Sequence, residues 1–245
     1  LARARVNIRA IAQGASERNI SVAIAAEDAT RGLRAAHAAF WLSPQTLALA
    51  VIGPGKVGAA LLDQLQAALP RLRSEANVDL RLRALATSRR MWLCDHGDPA
   101  DWRTRIEEEP QPADLDAITT HLLDSHLPHA VVIDCSASDS VAAQYPAWLA
   151  AGIHVITPNK HAGAGPLPRY AAIREARASS GARFRYEATV GAGLPVISTL
   201  RDLLDTGDEL VAVDGILSGT LAWRGNKFDG SMAFSGLVRE AHALG

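Results

Sequence analysis

Leu47-Ala-Leu-Ala-Val-Ile-Gly-Pro-Gly-Lys-Val-Gly58 reads as an apolar strand that runs straight into a glycine turn and then into a helix. Leu47 to Ile52 are apolar at every position, as a strand buried on both faces of a sheet requires. Gly53 allows the tight turn, Gly55 lets the backbone approach a pyrophosphate, and Gly58 lets the helix pack closely on the strand. The apolar helix from Val57 then offers amide hydrogens and the positive end of its dipole to phosphates. A bare glycine pattern also occurs in plain turns; here the strand before it and the helix after it favour a dinucleotide fingerprint. Gly53, Gly55, Lys56, Val57 and Gly58 are therefore candidate cofactor-binding residues.

On both sides of this turn the sequence alternates short apolar runs with longer helical stretches. Strands are expected near Leu47–Ile52, Leu80–Ala86, Ala130–Asp134 and Ile153–Thr157, and helices near Val57–Leu69, Leu115–Ser125 and Ser140–Ala151. Such alternation predicts an α/β fold, a Rossmann-type parallel sheet covered by helices. Asp98 to Asp114, with three prolines and the run Glu107-Glu108-Glu109, is expected to be a solvated excursion without chemistry. Beyond Pro158 we expect a helix near Leu167–Ser179, a strand near Phe184–Glu187, a helix after Gly193, a strand near Glu209–Ile216 and helical segments to the end.

Before the sheet lies a smaller piece. A strand around Val6–Ala12, a turn at Gly14–Asn19, a strand at Ile20–Ala26 and a helix after Asp28, with Leu33, Ala36 and Phe40 at helical spacing, are too little to form a stable domain alone. Ser43-Pro44 ends that helix, because the residue before proline is pushed out of the helical region. The expected division is 1–42 for this piece and its linker, 43–158 for the nucleotide domain, and 159–245 for part of a further domain.

With 48% apolar and 21% charged residues, the chain can bury a sizeable core. Its formal net charge of -1, with both signs interspersed, offers no basic face for nucleic acid and no polybasic membrane anchor. Neither is an expected partner. Cys94 and Cys135, far apart in sequence, exclude a disulfide framework and a Cys-rich zinc site and suit a reducing, cytosolic setting. The eight histidines show no metal-ligand pairing with a carboxylate on one helical face.

Two further segments complete the nucleotide site. An NAD-selective site ends its second strand on an acidic residue that takes the ribose hydroxyls. Here that strand runs into Ala86-Thr-Ser-Arg-Arg90, where Ser88, Arg89 and Arg90 suit a ribose phosphate, since guanidinium binds phosphate through two parallel hydrogen bonds. This favours NADP, with NAD as the alternative; the plain reading is two arginines on a solvated loop. The strand ending at Asp134 continues into Cys135-Ser136-Ala137-Ser138, at the sheet edge that faces a ligand crevice. Its hydroxyls suit the cofactor near the nicotinamide, whereas Cys135 has no neighbouring base to make it a nucleophile.

Val155-Ile-Thr-Pro-Asn-Lys160, Tyr186-Glu-Ala-Thr-Val-Gly-Ala-Gly-Leu-Pro195 and Asp214-Gly-Ile-Leu-Ser-Gly-Thr220, in that order, resemble homoserine dehydrogenase over roughly residues 46 to 245. Residues 5 to 40, with Ala10-Ile-Ala-Gln-Gly-Ala-Ser-Glu-Arg-Asn19, resemble the end of the regulatory ACT region that precedes this enzyme in bifunctional aspartokinase/homoserine dehydrogenases. The resemblance implies an ACT-like remnant, a Rossmann-type sheet, and the start of an α+β substrate and dimerisation domain. It also implies the nicotinamide-dependent interconversion of aspartate 4-semialdehyde and homoserine, in threonine and methionine biosynthesis, by a homodimer or higher homo-oligomer. Lys160 matches the family lysine beside nicotinamide and substrate, and Thr220 matches a substrate-contacting position. The backbone carbonyls of Glu187, Val190, Ala192 and Leu194 match those that bind a monovalent cation, sodium or potassium.

Two departures from the family pattern stand out. Ala222-Trp-Arg-Gly225 replaces a more apolar run, and Gly there costs about 1 kcal/mol against Ala in a helix interior. The chain also stops at Gly245, before the acidic and lysine-containing segment that the family uses for catalysis, and starts abruptly at Leu1. The expectation is a fragment that binds NADP with little or no turnover alone. The rival readings are another Rossmann-type dehydrogenase and a cofactor-sensing regulatory module.

Overall fold

Residues 1, 6–13, 19–41, 45–108, 111–124, 127–216 and 218–244 are described by the computed structural model. The expected break at Ser43-Pro44, most of the turn at Gly14–Asn19, and His126 lie outside them. Their contacts divide the chain into two units, Leu1–Phe184 and Arg185–Gly245.

The first unit opens with an antiparallel pair, β1 (Ile8–Gln13) and β2 (Ile20–Ile24), followed by α1 (Ala29–Trp41). The expected helix is present, but the residues that mark it, Leu33 and Phe40, are 72% and 84% exposed. A two-stranded ribbon and one helix supply no second layer to cover them.

The central sheet has the order β6-β5-β4-β3-β7-β8-β9. Its strands are β3 (Gln45–Ile52), β4 (Val78–Ala86), β5 (Arg90–Gly97), β6 (Gln111–Pro112), β7 (His129–Asp134), β8 (His154–Ile156) and β9 (Phe184–Arg185). β3 pairs in parallel with β4 on one side and β7 on the other, and β7 pairs in parallel with β8. The apolar runs recognised in the sequence thus form the parallel centre. The two strands beyond β4 are antiparallel and carry polar residues, which is why hydrophobicity alone did not mark them.

Strands β3 and β4 show how the core is specified. Leu49, Val51, Leu82, Leu85, Trp92 and Val131 cluster with Leu62 of α2 (Lys56–Ser74) and with Trp102 and Ile106 of α3 (Trp102–Glu108). Leu82 and Leu85 share one face despite odd spacing because the register with β3 skips Arg83, a bulge. Arg83, 6% exposed, donates through its guanidinium to Asp95 Oδ1 at 2.6 Å and Asp95 O at 3.1 Å. Trp102 and Ile106 correct the expectation for Asp98–Asp114: this excursion contributes two buried side chains to the core rather than being wholly solvated. Glu109 is outside the described residues.

The remaining helices of this unit are α4 (Leu115–Leu123), α5 (Asp139–Ala142), α6 (Tyr145–Ala150), α7 (His161–Ala164) and α8 (Leu167–Ser180). The single helix expected at Ser140–Ala151 is two, with Ala143 and Gln144 between them, and Pro146 starts the second. Tyr145, Trp148, Leu149, Ile153, Val155, Ile173 and Phe184 are buried together with α6 and α8 in this part of the sheet. Gly181, at φ 73°, ends α8 in the left-handed cap that glycine adopts without strain.

His154 at the start of β8 gives the unit an acid-sensitive point. Its Nδ1 accepts the Arg183 amide at 2.9 Å, and burial, then His129 and Arg183, hold its pKa below the ordinary 6.5. The neutral ring is therefore the folded form, and its contribution is present above pH 6.5 and lost as pH falls through that value toward the lower folded pKa. Urea unfolding between pH 5 and 8 should show stability dropping on the acid side, with a shallower drop in His154→Gln.

The second unit holds α9 (Val196–Asp205), α10 (Gly219–Lys227) and α11 (Phe234–Leu244). The strand expected at Glu209–Ile216 is absent: this stretch has no regular secondary structure and exposes Leu210, Val211, Val213 and Ile216 at 55%, 94%, 51% and 76%. Its β-prone sequence has no ladder partner among the described residues, and an unpaired strand does not hold. α10 runs unbroken through Arg224 and Gly225. Among the described residues, no helix is long and apolar enough to cross a membrane.

Candidate functional site

The strand order places the sheet's switch point at the C-terminal ends of β3 and β7, since the chain leaves β3 toward β4 on one side and returns to β7 on the other. Ligands of open α/β sheets bind in the crevice that such a reversal opens. Ile52 is in register with Asp134, the Gly53 amide donates to Ala86 O at 2.8 Å, and the Cys135 amide donates to Ile52 O at 2.7 Å. The ends of β3, β4 and β7 are thereby tied together. The structure brings the glycine turn, the Thr87–Arg90 turn and the Cys135–Ser138 loop to one edge.

The three glycines do different work. Gly53 has φ 79°, and a Cβ there would lie 2.7 Å from the Ser136 amide nitrogen, so conformation and space both demand glycine. A Cβ at Gly58 would run into the Gly53 carbonyl oxygen and meet Cys135 Cβ at 3.3 Å. Gly55 has nothing within 4 Å of its would-be Cβ and an ordinary φ of -77°. No packing constraint therefore calls for glycine there, and the space over it is open. Gly55 also caps α2 without a side-chain hydrogen bond, leaving first-turn amides for an external acceptor. Lys56 and Val57 are exposed in that first turn, Val57 by 58%.

Ser88, Arg89 and Arg90 are exposed beyond β4. They form a tight turn rather than an open loop: Thr87 Oγ1 accepts the amides of Arg89 and Arg90 at 3.2 and 2.9 Å, and the Thr87 amide donates to Arg90 O at 2.8 Å. In the β7 loop, Ser136 and Cys135 are half-buried and Ala137 is exposed. Burial, then the charge of Asp134, pushes the Cys135 thiol up to about 11. It stays protonated near neutral pH and is no nucleophile.

Beneath this loop lies a buried polar group that the sequence reading passed over. Asp134, fully buried, accepts the Tyr145 hydroxyl at 2.5 Å and Asn159 Nδ2 at 3.0 Å on Oδ2, and the Ser136 amide at 2.8 Å on Oδ1. Thr157 Oγ1 donates to Asp134 O at 2.8 Å and accepts the Asn159 amide at 2.8 Å. Burial, then Asp134, drives the Tyr145 pKa well above the usual tyrosine value, so the hydroxyl remains a donor. Thr157 and Asn159 sit at alternate positions in Val155-Ile-Thr-Pro-Asn-Lys160, and that spacing was the available signal. Lys160 follows, exposed, at the start of α7.

The other candidates lie in the second unit. Glu187 is half-buried, its carboxylate Oε1 accepts the Ile197 amide at 2.9 Å in the first turn of α9, and its carbonyl accepts the Val190 amide at 3.4 Å. Gly191 at φ 69° and Ala192 at φ 51° are successive left-handed residues, the second a strained conformation for alanine. Thr220 is exposed in the first turn of α10, which Ser218 caps by accepting the Leu221 amide at 3.3 Å.

Comparison with known proteins agrees with this layout. Residues 53–187 match the family described as homoserine dehydrogenase, NAD binding domain; residues 195–245 match homoserine dehydrogenase, and residues 1–40 an ACT domain. The chain is 49% identical over its whole length to the bifunctional aspartokinase/homoserine dehydrogenase 1, chloroplastic, of Zea mays, of which it spans 27%. It is 33% identical to the homoserine dehydrogenase of Schizosaccharomyces pombe, covering 80% of this chain and 54% of that one. A hyperthermophilic archaeal homoserine dehydrogenase in complex with NADPH shares the fold, at TM-score 0.66 and 20% identity over 81% of this chain and 61% of its own.

Proposed function

Since the chain belongs to the homoserine dehydrogenase family, we propose that its crevice at the ends of β3 and β7 holds a nicotinamide dinucleotide and serves the interconversion of aspartate 4-semialdehyde and homoserine. The observation that carries this reading is Gly55, open above its Cα at the uncapped start of α2. Gly55, Lys56 and Val57 take the pyrophosphate over the turn that Gly53 and Gly58 shape, and Cys135, Ser136 and Ala137 line the nicotinamide end. A bound nicotinamide supplies or accepts the hydride. The Lys160 ammonium stabilises negative charge on the substrate oxygen, and Thr220 contacts the substrate. The carbonyls of Glu187, Val190, Ala192 and Leu194 bind a sodium or potassium ion.

We further propose the division 1–42, 43–158 and 159–245, a homodimeric or larger assembly, and a reducing, cytosolic compartment. The relatives named chloroplastic make subcellular fractionation the check on the last of these.

Ser88, Arg89 and Arg90 select NADP over NAD by taking the ribose phosphate. Arg89→Ala/Arg90→Ala should weaken NADPH binding about 20-fold, the loss of one to two charge-assisted hydrogen bonds, and leave NADH binding unchanged. Fluorescence titration with both nucleotides measures it; equal effects on the two, or none, would remove the arginines from the site. The family activity itself is assayed by following NADPH formation from homoserine.

A further inference from the structure

Asn159 uses both of its side-chain donors and its acceptor oxygen. Nδ2 donates to Asp134 Oδ2 at 3.0 Å and to Ser138 O at 2.9 Å, and Oδ1 accepts the His161 amide at 3.0 Å. The residue is 3% exposed. One carboxamide therefore joins the end of β7, the residue that caps α5, and the first residue of α7. An amide fits this place because it combines two donors and an acceptor in one plane. Its neighbour Lys160 sits between the locked Asn159 and the start of α7, which leaves the lysine little freedom but its own side-chain torsions.

We propose that Asn159, seated on the buried Asp134 carboxylate, is a positioning residue: it clamps the loop after β7 to the loop after β8 and so fixes where the Lys160 ammonium stands relative to Ser136. The proposal rests on the reading that both loops face the nicotinamide end of a bound dinucleotide. Asp134 anchors the clamp because Oδ2 takes the Asn159 amide while Oδ1 holds the Ser136 amide, so one carboxylate sets both sides. From below, the Tyr145 hydroxyl donates to that carboxylate and Thr157 Oγ1 donates to the Asp134 backbone carbonyl.

The chain has Lys56 at the glycine turn, Lys160 after the clamp, and Lys227 in the second unit, so acetic anhydride labelling read by mass spectrometry separates the sites. With saturating NADPH, Lys56 and Lys160 of the unaltered chain should both be protected and Lys227 not. In Asn159→Ala, checked as folded by near-ultraviolet circular dichroism, Lys56 should stay protected. Lys160 labelling should rise about fivefold toward its cofactor-free rate, the effect of losing an oriented contact worth a hydrogen bond. Should that variant not fold, Asp134→Asn, which keeps the shape but turns a donor toward the Asn159 amide, carries the same expectation. Equal protection of Lys160 with and without the clamp overturns the proposal. So does loss of protection at both lysines, which marks a general structural role. If Lys56 but not Lys160 is protected in the unaltered chain, the placement of Lys160 at the cofactor fails and the clamp's purpose with it. If neither is protected, the nucleotide reading itself fails.

Discussion

Gly55→Val is expected to leave the fold standing and to weaken NADPH binding by about 100-fold or more, because the valine methyl groups enter the space a pyrophosphate needs. The backbone at Gly55 is one any residue adopts, and nothing lies within 4 Å of its would-be Cβ, so thermal unfolding should move by no more than about 2 °C. Gly58→Ala is the converse. Its methyl group meets backbone, the Gly53 carbonyl, which cannot swing aside as a side chain would. Overpacking against main chain should cost about 3 kcal/mol and reduce cofactor binding only through the fold. Thermal unfolding and NADPH titration of the two variants side by side test the assignment of separate duties to the two glycines. A Gly55→Val protein that binds NADPH normally would place the pyrophosphate elsewhere.

Asp134→Ala should destabilise the chain by roughly 3 kcal/mol, among the larger single-residue effects the first unit can show. The carboxylate is fully buried and receives three donors. Tyr145 and Asn159 each retain one other acceptor, Thr157 Oγ1 and Ser138 O, but the Ser136 amide loses its bond to the carboxylate and a cavity opens beneath the loop. In a chain of this size the midpoint of thermal unfolding should fall by about 10 °C. Tyr145→Phe, which removes one donor and keeps the ring packed against Trp148 and Phe184, should cost nearer 1 kcal/mol. If the alanine variant proves no less stable than the phenylalanine one, Asp134 is not the hub of the group.

The parallel centre of the sheet was legible because its strands are apolar on both faces and its turn demands glycine, and both are local properties of the sequence. β5 was not, because Arg90, Asp95 and His96 interrupt an antiparallel strand, next to the sheet's edge, that needs only one apolar face. The bulge at Arg83 was hidden for a related reason: it becomes visible only once β3 supplies a register to break. Glu209–Ile216 misled in the other direction, with β-branched residues that indicate a strand but no pairing edge among the described residues to make one. In the site, glycines and arginines announce themselves by type. Asp134, Tyr145, Thr157 and Asn159 matter through contacts across 11 to 25 residues, which no local window reports. The role of Lys160 came from a resemblance, and the structure adds that its neighbour is held from three directions.

The most direct test of the central claim is calorimetric titration of the 245-residue chain with NADPH, run alongside its Gly55→Val variant. The crevice reading predicts saturable one-to-one binding in the micromolar range by the chain and binding at least about 100-fold weaker by the folded variant. Absence of saturable binding up to millimolar NADPH, or equal binding by both, would contradict it.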